Sequence, residues 1–493
     1  MLEPDFETFS QHYATGRTVR VHSCYLSDTM TPISAFQRLQ RGPFSCLLES
    51  VTGGEYVGRY SFVASSPIGR FRASGNHVEI ERDGECRAFE SEDPLADLWD
   101  LTQEYVPMVE DDLPRLAGGA VGYMSYDSIR YIERLPDVPN DDLGLPDLYF
   151  CIYDTMLIFD NVDKTMRIVT NVFPGEATAE EAYESAESKI AEVEAKLAAE
   201  TPAPLLPIQK SGDTNLEHES SFEPQDFMDS VDKCKEYIRA GDVFQVVISQ
   251  RFHVRTKAPP FDIYRSLRSV NPSPYMYYLT FDDLYIVGAS PEVMCRVDDG
   301  QVHVRPIAGT RRRGRTEEEE KEMGEELLND PKEIAEHVML LDLGRNDVGR
   351  ISEFNSVKIT DKMVLEKYSH VMHMTSHVVG KLENGRNSMD AFRACFPAGT
   401  VSGAPKIRAM EIIDEIEPTK RGPYAGAVGY FDFAGNMDTA ITLRTLVIKG
   451  EDAYAQAGAG VVADSVPELE HKECQNKARA LLKAIDVAEQ HLM

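Results

Sequence analysis

The stretch YFCIYDTMLIFD, Tyr149 to Asp160, is apolar almost throughout. Short apolar runs of this kind read as strands, and TMRIVTNVF (Thr165 to Phe173) follows in the same style. Farther along, DVFQVVISQRFHVR (Asp242 to Arg255), VHVRPIAGT (Val302 to Thr310) and TLVIKG (Thr445 to Gly450) are strand-like again, now mixed with long helical stretches. The pattern predicts an α+β protein with two sides, each built on antiparallel strands. GAVGY occurs twice, at Gly119 to Tyr123 and at Gly426 to Tyr430, an echo consistent with two related layers.

The boundary between the sides falls near residue 200. Residues 178–200 read as an exposed helix, and TPAPLLPIQKSGDTNLEHESSFEP mixes Pro, Gly, Ser and charge without a period. This predicts an N-terminal half over 1–200, a linker over 201–224 and a C-terminal half over 225–493. A formal net charge of -31 excludes an ordinary nucleic-acid binder, which needs surplus Lys and Arg. Any anionic substrate must then be captured by a local cluster of donors. The one dense basic run, Arg311 to Arg315, is followed by Glu317 to Glu320 and reads as a solvated loop with its own counter-charges. Eight scattered cysteines without CxxC spacing suggest neither zinc nor a disulfide framework. With no signal-like start and no membrane-length apolar run, a soluble cytoplasmic protein is expected.

Two acidic residues stand out. In KEIAEHVMLLDLGRND (Lys332 to Asp347), Glu336 falls among Met339, Leu340 and Leu343 on a helical wheel. A buried carboxylate there either picks up a proton or finds a cation, an Arg or a metal. On the last predicted helix Ser465 and Glu468 suggest a capping box, and Glu473 either pairs with Lys477 at i, i+4 or serves a site. Gly-rich turns around Gly309–Thr310, Gly399–Thr400 and Gly458–Gly460 either simply turn the chain or cradle an anion. Together with the carboxylates they suggest a small anion held by a divalent cation, for which Mg²⁺ suits oxygen ligands. His373 and Glu292 are open between core or edge positions and catalysis. There is no GxSxG, P-loop or HExxH pattern.

In order, PIAGTRRRGR, KEIAEHVMLLDLGRND, AGTVSGAPKIRAM, YAGAVGYF, AQAGAGVVADS and CQNKARA resemble the signature segments of chorismate-utilising enzymes, with a close likeness to the anthranilate synthase component I family. LLES (Leu47 to Ser50), GRYSF (Gly58 to Phe62) and NPSPYMYY (Asn271 to Tyr278) resemble that family's regulatory half and its tryptophan pocket. The resemblance implies a two-domain α+β sandwich of antiparallel sheets with helices outside. It implies Glu336 and Glu473 as Mg²⁺ ligands, and Gly309, Thr310, Thr400, Tyr424, Arg444, Gly458, Ala459 and Gly460 as chorismate contacts. Glu292 matches the family's general acid, and His373 the histidine associated with pyruvate elimination. Glu49, Ser50, Pro274, Tyr275 and Met276 match the binding site of L-tryptophan as feedback inhibitor.

The activity so implied turns chorismate and ammonia into anthranilate and pyruvate, the first committed step of tryptophan biosynthesis. A separate glutamine amidotransferase subunit would supply the ammonia, in a heterotetramer of two large and two small subunits. Ala308 and Gln245 stand where related enzymes carry lysines, which favours ammonia and elimination over the alternative, aminodeoxychorismate synthase component I.

Overall fold

The computed structural model describes residues 2–490 other than 41, 51–57, 83, 109–112, 200–213, 215 and 368–370. Most of the expected linker, 201–224, lies outside the described residues. Tyr149 to Asp160 forms two strands rather than one. Leu148–Tyr153 lies in one sheet and Thr155–Asp160 in the other, and the chain steps between them at Asp154. That carboxylate is 4% exposed and is offset by the Lys189 ammonium at 2.6 Å, while its carbonyl accepts from the Asn171 backbone N–H.

Among the described residues each sheet has twelve strands. The first runs in the order Val19–Leu26, Thr165–Val172, Thr155–Asp160, Tyr60–Ser65, Ser45–Glu49, Tyr275–Phe281, Leu284–Ser290, Thr445–Lys449, Asp452–Val461, Gln245–Arg255 and Glu219–Ser220, with Gly403–Ala404 beside Gln245–Arg255. The second runs Ile307–Arg312, Val371–Lys381, Gln301–Val304, Val293–Asp298, Met437–Ile441, Ala427–Asp432, Gly119–Met124, Leu148–Tyr153, Gly69–Ser74, His77–Arg82 and Glu85–Glu90, with Lys358–Lys367 beside Val371–Lys381.

Side-chain alternation explains the unbroken apolar stretch. Tyr149, Cys151, Tyr153, Met156 and Ile158 fill the space between the sheets. Leu148, Phe150 and Ile152 face a helix-covered core on one side, and Leu157 and Phe159 a second such core on the other. Strands covered on both faces read as continuous apolar runs rather than alternating ones. The α+β sandwich of antiparallel sheets with helices outside is therefore present.

The two halves of the sequence share both sheets. Ser45–Glu49 pairs with Tyr275–Phe281, and the two GAVGY segments lie side by side, with Gly122 opposite Gly429. The helix Ala179–Ala198 has the polar circumference expected of it and buries only Ala182, Ala186, Ile190 and Leu197. The last helix, Pro467–Glu489, departs from its predicted start. Val466 occupies the N-cap, and the Ser465 hydroxyl turns back to accept from the Val462 N–H instead of capping the helix. The basic run is counter-charged but is not a loop throughout: Arg311 and Arg312 end the strand Ile307–Arg312, Arg312 pairs with Glu319, and Arg313 pairs with Glu320 at 2.6 Å. No described helix is long and apolar enough to cross a membrane.

Because the C-terminal strands Tyr275–Phe281 and Ala427–Asp432 each have a hydrogen-bonded neighbour from the N-terminal half, a 225–493 fragment would bear two unpaired apolar edges. The fragment is expected to aggregate or to unfold without a cooperative transition. Size-exclusion chromatography and urea unfolding monitored by circular dichroism check this.

Candidate active site

Glu292 follows the strand Leu284–Ser290, and its side chain is sealed beneath Thr400 and the Pro331–Gly349 helix. The residue is only 7% exposed, and burial pushes its carboxyl up to about 8, against the opposing pull of Thr400 and of the Ile307 backbone. It is therefore mostly protonated at neutral pH. Thr400 approaches this carboxyl, yet its buried Oγ1 has no hydrogen bond of good geometry. The same cavity is lined by Leu340, Leu343 and Gly399. A Cβ at Gly399 would overlap Leu343, so glycine lets the 399–401 turn sit directly on the helix.

His373 and Thr310 face each other on paired strands. Nδ1 of His373 lies 2.9 Å from the Gly309 carbonyl and 3.1 Å from the Thr310 hydroxyl. Donation from Nδ1 to the carbonyl makes Nε2 the basic nitrogen. Burial, with Arg444 nearby, lowers the pKa of the ring and keeps it neutral. Arg444 sits at a positive φ of 49° between Tyr424 and Glu473. Its guanidinium has no hydrogen-bond or ion-pair partner among the described residues, and desolvation lowers its pKa. A cation left unpaired in a desolvated setting is poised for an anion.

Strand alternation sorts the glycine segment. A Cβ on Gly458 would come within 2.9 Å of the Tyr424 hydroxyl, and one on Gly460 within 2.6 Å of Gln245 Nε2. Both glycines thus face Tyr424 and Gln245, whereas Ala459 points away into the core beneath Phe227 and Val231. Ala459 can contribute only its backbone. Lys477 donates to the Gly458 carbonyl at 2.9 Å, an interaction that its i, i+4 spacing from Glu473 did not disclose.

The expected metal ligands stand on two different helices, Pro331–Gly349 and Pro467–Glu489. Glu336 is half-buried rather than enclosed, with Lys332 at 3.8 Å, and Glu473 pairs with Lys477 at 2.6 Å. Lysines one turn away thus answer part of each charge. Burial raises the Glu336 pKa, Lys332 opposes it, and Glu333, Glu470 and Glu473 raise it further by repulsion, so the acidic groups of the two helices feel one another's charge. Glu470, whose pKa is likewise raised by burial and by Glu473, is an addition to the expected pair. Among the described residues no three acidic, Cys or His side chains form a metal-holding group. Two carboxylates from facing helices still suit Mg²⁺, which keeps several waters and shares its shell with substrate oxygens.

Residues expected around tryptophan also come together, at the end of two paired strands. Met276 is opposite Glu49, and Tyr275 and Ser50 are their immediate chain neighbours. The faces differ, however. Met276 packs in the helix-covered core, and Glu49 turns toward it, its carboxylate accepting from Tyr264 at 2.8 Å and from Arg268 at 3.2 Å. Tyr275 points between the sheets and donates to Asp438 at 3.1 Å. Pro274 is buried and Ser50 half-buried beside them.

This geometry coincides with a family match. The profile of the chorismate binding enzymes matches residues 49–483. The chain is 48% identical over 466 residues to anthranilate synthase component 1 of Aquifex aeolicus, covering 94% of each chain. It is 50% identical over 469 residues to the Pseudomonas putida protein of the same name, again covering 94% of each. The chain belongs to the anthranilate synthase component 1 family. The crystal structure of anthranilate synthase component I from Streptococcus pneumoniae superposes with a TM-score of 0.76 at 38% identity, over 93% of this chain and 99% of that one. The menaquinone-specific isochorismate synthase of Escherichia coli, at a TM-score of 0.71 and 18% identity, shares the fold. As a member of the anthranilate synthase component 1 family the chain is an enzyme of the lyase type, and Gln245 and Ala308 stand in its site without the lysines noted above.

Linkage gives Glu292 a measurable signature. Its folded-state pKa lies above the ordinary value of 4.5, so between about 4.5 and about 8 the folded chain binds more protons than the unfolded one. Stability from this group is present at low pH and is lost as pH rises through about 8. Urea unfolding from pH 5 to pH 9 is expected to show the parent chain losing stability relative to Glu292→Gln, with no such divergence if the carboxyl ionises normally.

Proposed function

We propose that the chain converts chorismate and ammonia to anthranilate, pyruvate and water. The observation that carries this reading is the Arg444 guanidinium, without a hydrogen-bond or ion-pair partner among the described residues, beside Tyr424 and the Gly458–Gly460 strand, in a site whose buried acid, Glu292, retains its proton. Arg444 suits a substrate carboxylate because its planar fork donates two parallel bonds. Tyr424, Thr310, Thr400 and the backbone of 309 and 458–460 complete the cradle.

Glu292 gives its proton to the departing ring hydroxyl as ammonia adds to the ring, so that the hydroxyl leaves as water. General acid help of this kind contributes about 10² to 10⁴ in rate. His373, neutral and basic at Nε2, takes the ring proton as the ring C–O bond to the enolpyruvyl group breaks and the ring becomes aromatic; the enolpyruvate released gains a proton at its methylene carbon and becomes pyruvate. Glu336 and Glu473, with Glu470 adjacent, would hold Mg²⁺, which supplies charge neutralisation and Lewis acidity at a substrate carboxylate when bound.

The relatives are named component 1, which implies a second component. A glutamine amidotransferase subunit fits that role, and with it a heterotetramer. Feedback by L-tryptophan is assigned to the Glu49–Ser50 and Pro274–Met276 segments, and the N-terminal half, 1–200, is read as the regulatory one. Aminodeoxychorismate synthase component I is the alternative, and it would retain the enolpyruvyl group.

The purified chain with chorismate, Mg²⁺ and ammonium is expected to release fluorescent anthranilate and equimolar pyruvate, and to make neither from glutamine alone. Retention of the enolpyruvyl group in the product would favour the alternative. Ser50→Phe is expected to leave this turnover intact and raise the tryptophan concentration for half-inhibition at least tenfold; an unchanged inhibition curve refutes the regulatory assignment.

A further inference from the structure

Behind the substrate cradle lies a fully buried ion pair that the reaction does not use. Arg421 is 3% exposed and Glu417 5%. The Arg421 fork donates to both Glu417 oxygens, at 2.9 Å from Nε and 2.7 Å from Nη2. Nη1 also donates to the Val401 carbonyl and Nη2 to the Val247 carbonyl, each at 2.7 Å. Glu417 in turn accepts from the Ser249 N–H at 2.7 Å and from the Ser249 hydroxyl at 2.9 Å. Four of the five guanidinium N–H groups and both carboxylate oxygens of the pair are thereby used, close to the full pairing that charges held away from water require.

These bonds fall where the sheet is incomplete. Along the outer edge of Gln245–Arg255, Gly403–Ala404 pairs only with Gln245 and Val246, and Glu219–Ser220 only with Phe252 and His253. The gap leaves backbone groups that must be satisfied. Ser402 accepts from the Val247 N–H, and the Arg421–Glu417 pair takes the Val247 carbonyl and the Ser249 N–H, in place of a neighbouring strand. On the opposite edge, Val247 and Ser249 are partnered by Gly460 and Gly458. The guanidinium also stacks 4.5 Å from the Tyr126 ring and 5.7 Å from the Tyr424 ring.

One group therefore touches three walls of the cradle: the turn carrying Thr400, the strand backing Gly458 and Gly460, and the Tyr424 ring. We propose that Arg421, clamped by Glu417, is a positioning residue that sets the spacing of Thr400, Tyr424 and the glycine strand for chorismate. Lysine in its place would keep the charge but could not make four directed bonds from a planar fork.

The inference rests on the proposed function, and steady-state kinetics of the full chain with chorismate, Mg²⁺ and ammonium test it. Arg421→Lys is expected to raise the KM for chorismate about tenfold and to lower kcat, with the KM for ammonium unchanged. Ser249→Ala, which removes the hydroxyl's bond to Glu417 along with the one it accepts from Gln456, is expected to raise the chorismate KM a few-fold in a chain that still folds, and it decides the matter if the lysine variant does not fold. Lys189→Met, which unpairs buried Asp154 in the N-terminal half, should lower the melting temperature while leaving both KM values alone. Folded Arg421→Lys and Ser249→Ala chains with the parental chorismate KM, losing only kcat in proportion to the folded fraction, would overturn the proposal. A parent chain that makes no anthranilate overturns the proposed function instead; titration calorimetry with chorismate then reads the same shifts in affinity without turnover.

Discussion

The structure depends on the antiparallel joint between Gly119–Met124 and Ala427–Asp432, where chain segments three hundred residues apart become neighbours in one sheet. Gly122 and Gly429 face each other there, and a Cβ on either would overlap a carbonyl of the next strand, Tyr149 or Asp438. The missing side chains let four strands run close together through the middle of the sheet. The strand Ser45–Glu49 makes the corresponding joint in the other sheet, so both layers are continuous across the two halves.

That continuity places chemistry from distant segments around one cleft. Glu292 arrives from a strand end, His373 and Thr310 from a paired edge, Arg444 and Tyr424 from turns, and Glu336 and Glu473 from separate helices. Each is held by something other than its local sequence. The Gly309 carbonyl selects the His373 tautomer, and burial beneath the Pro331–Gly349 helix keeps Glu292 protonated. The acidic groups of the two helices repel one another across the cleft, a strain that a divalent cation would relieve.

The same sharing of sheets links the Glu49–Ser50 and Pro274–Met276 segments physically to the strands of the second sheet. Tyr275, next to the Met276–Glu49 pair, hydrogen-bonds Asp438, and the strand Met437–Ile441 pairs with both Val293–Asp298 and Ala427–Asp432. A ligand that separates the sheets near Ser50 would act on strands continuous with Glu292 and Tyr424.

Sequence alone determined the α+β class, the strand character of Tyr149–Asp160, the exposed helix before residue 200 and, through ordered motifs, the family. These are legible because apolar runs, helical periodicity and motif order are local properties of the chain. Tertiary structure decided that Asp154 divides one apparent strand between two sheets, that Ser465 is not a cap, and that Ala459 turns its side chain from the cleft. It also decided that Glu336 lies half-open beside Lys332, and that Glu470 joins the acidic group. Each of these turns on which face of an element meets another, and burial on both faces of a strand or around most of a helix removes the periodic signal that would reveal it.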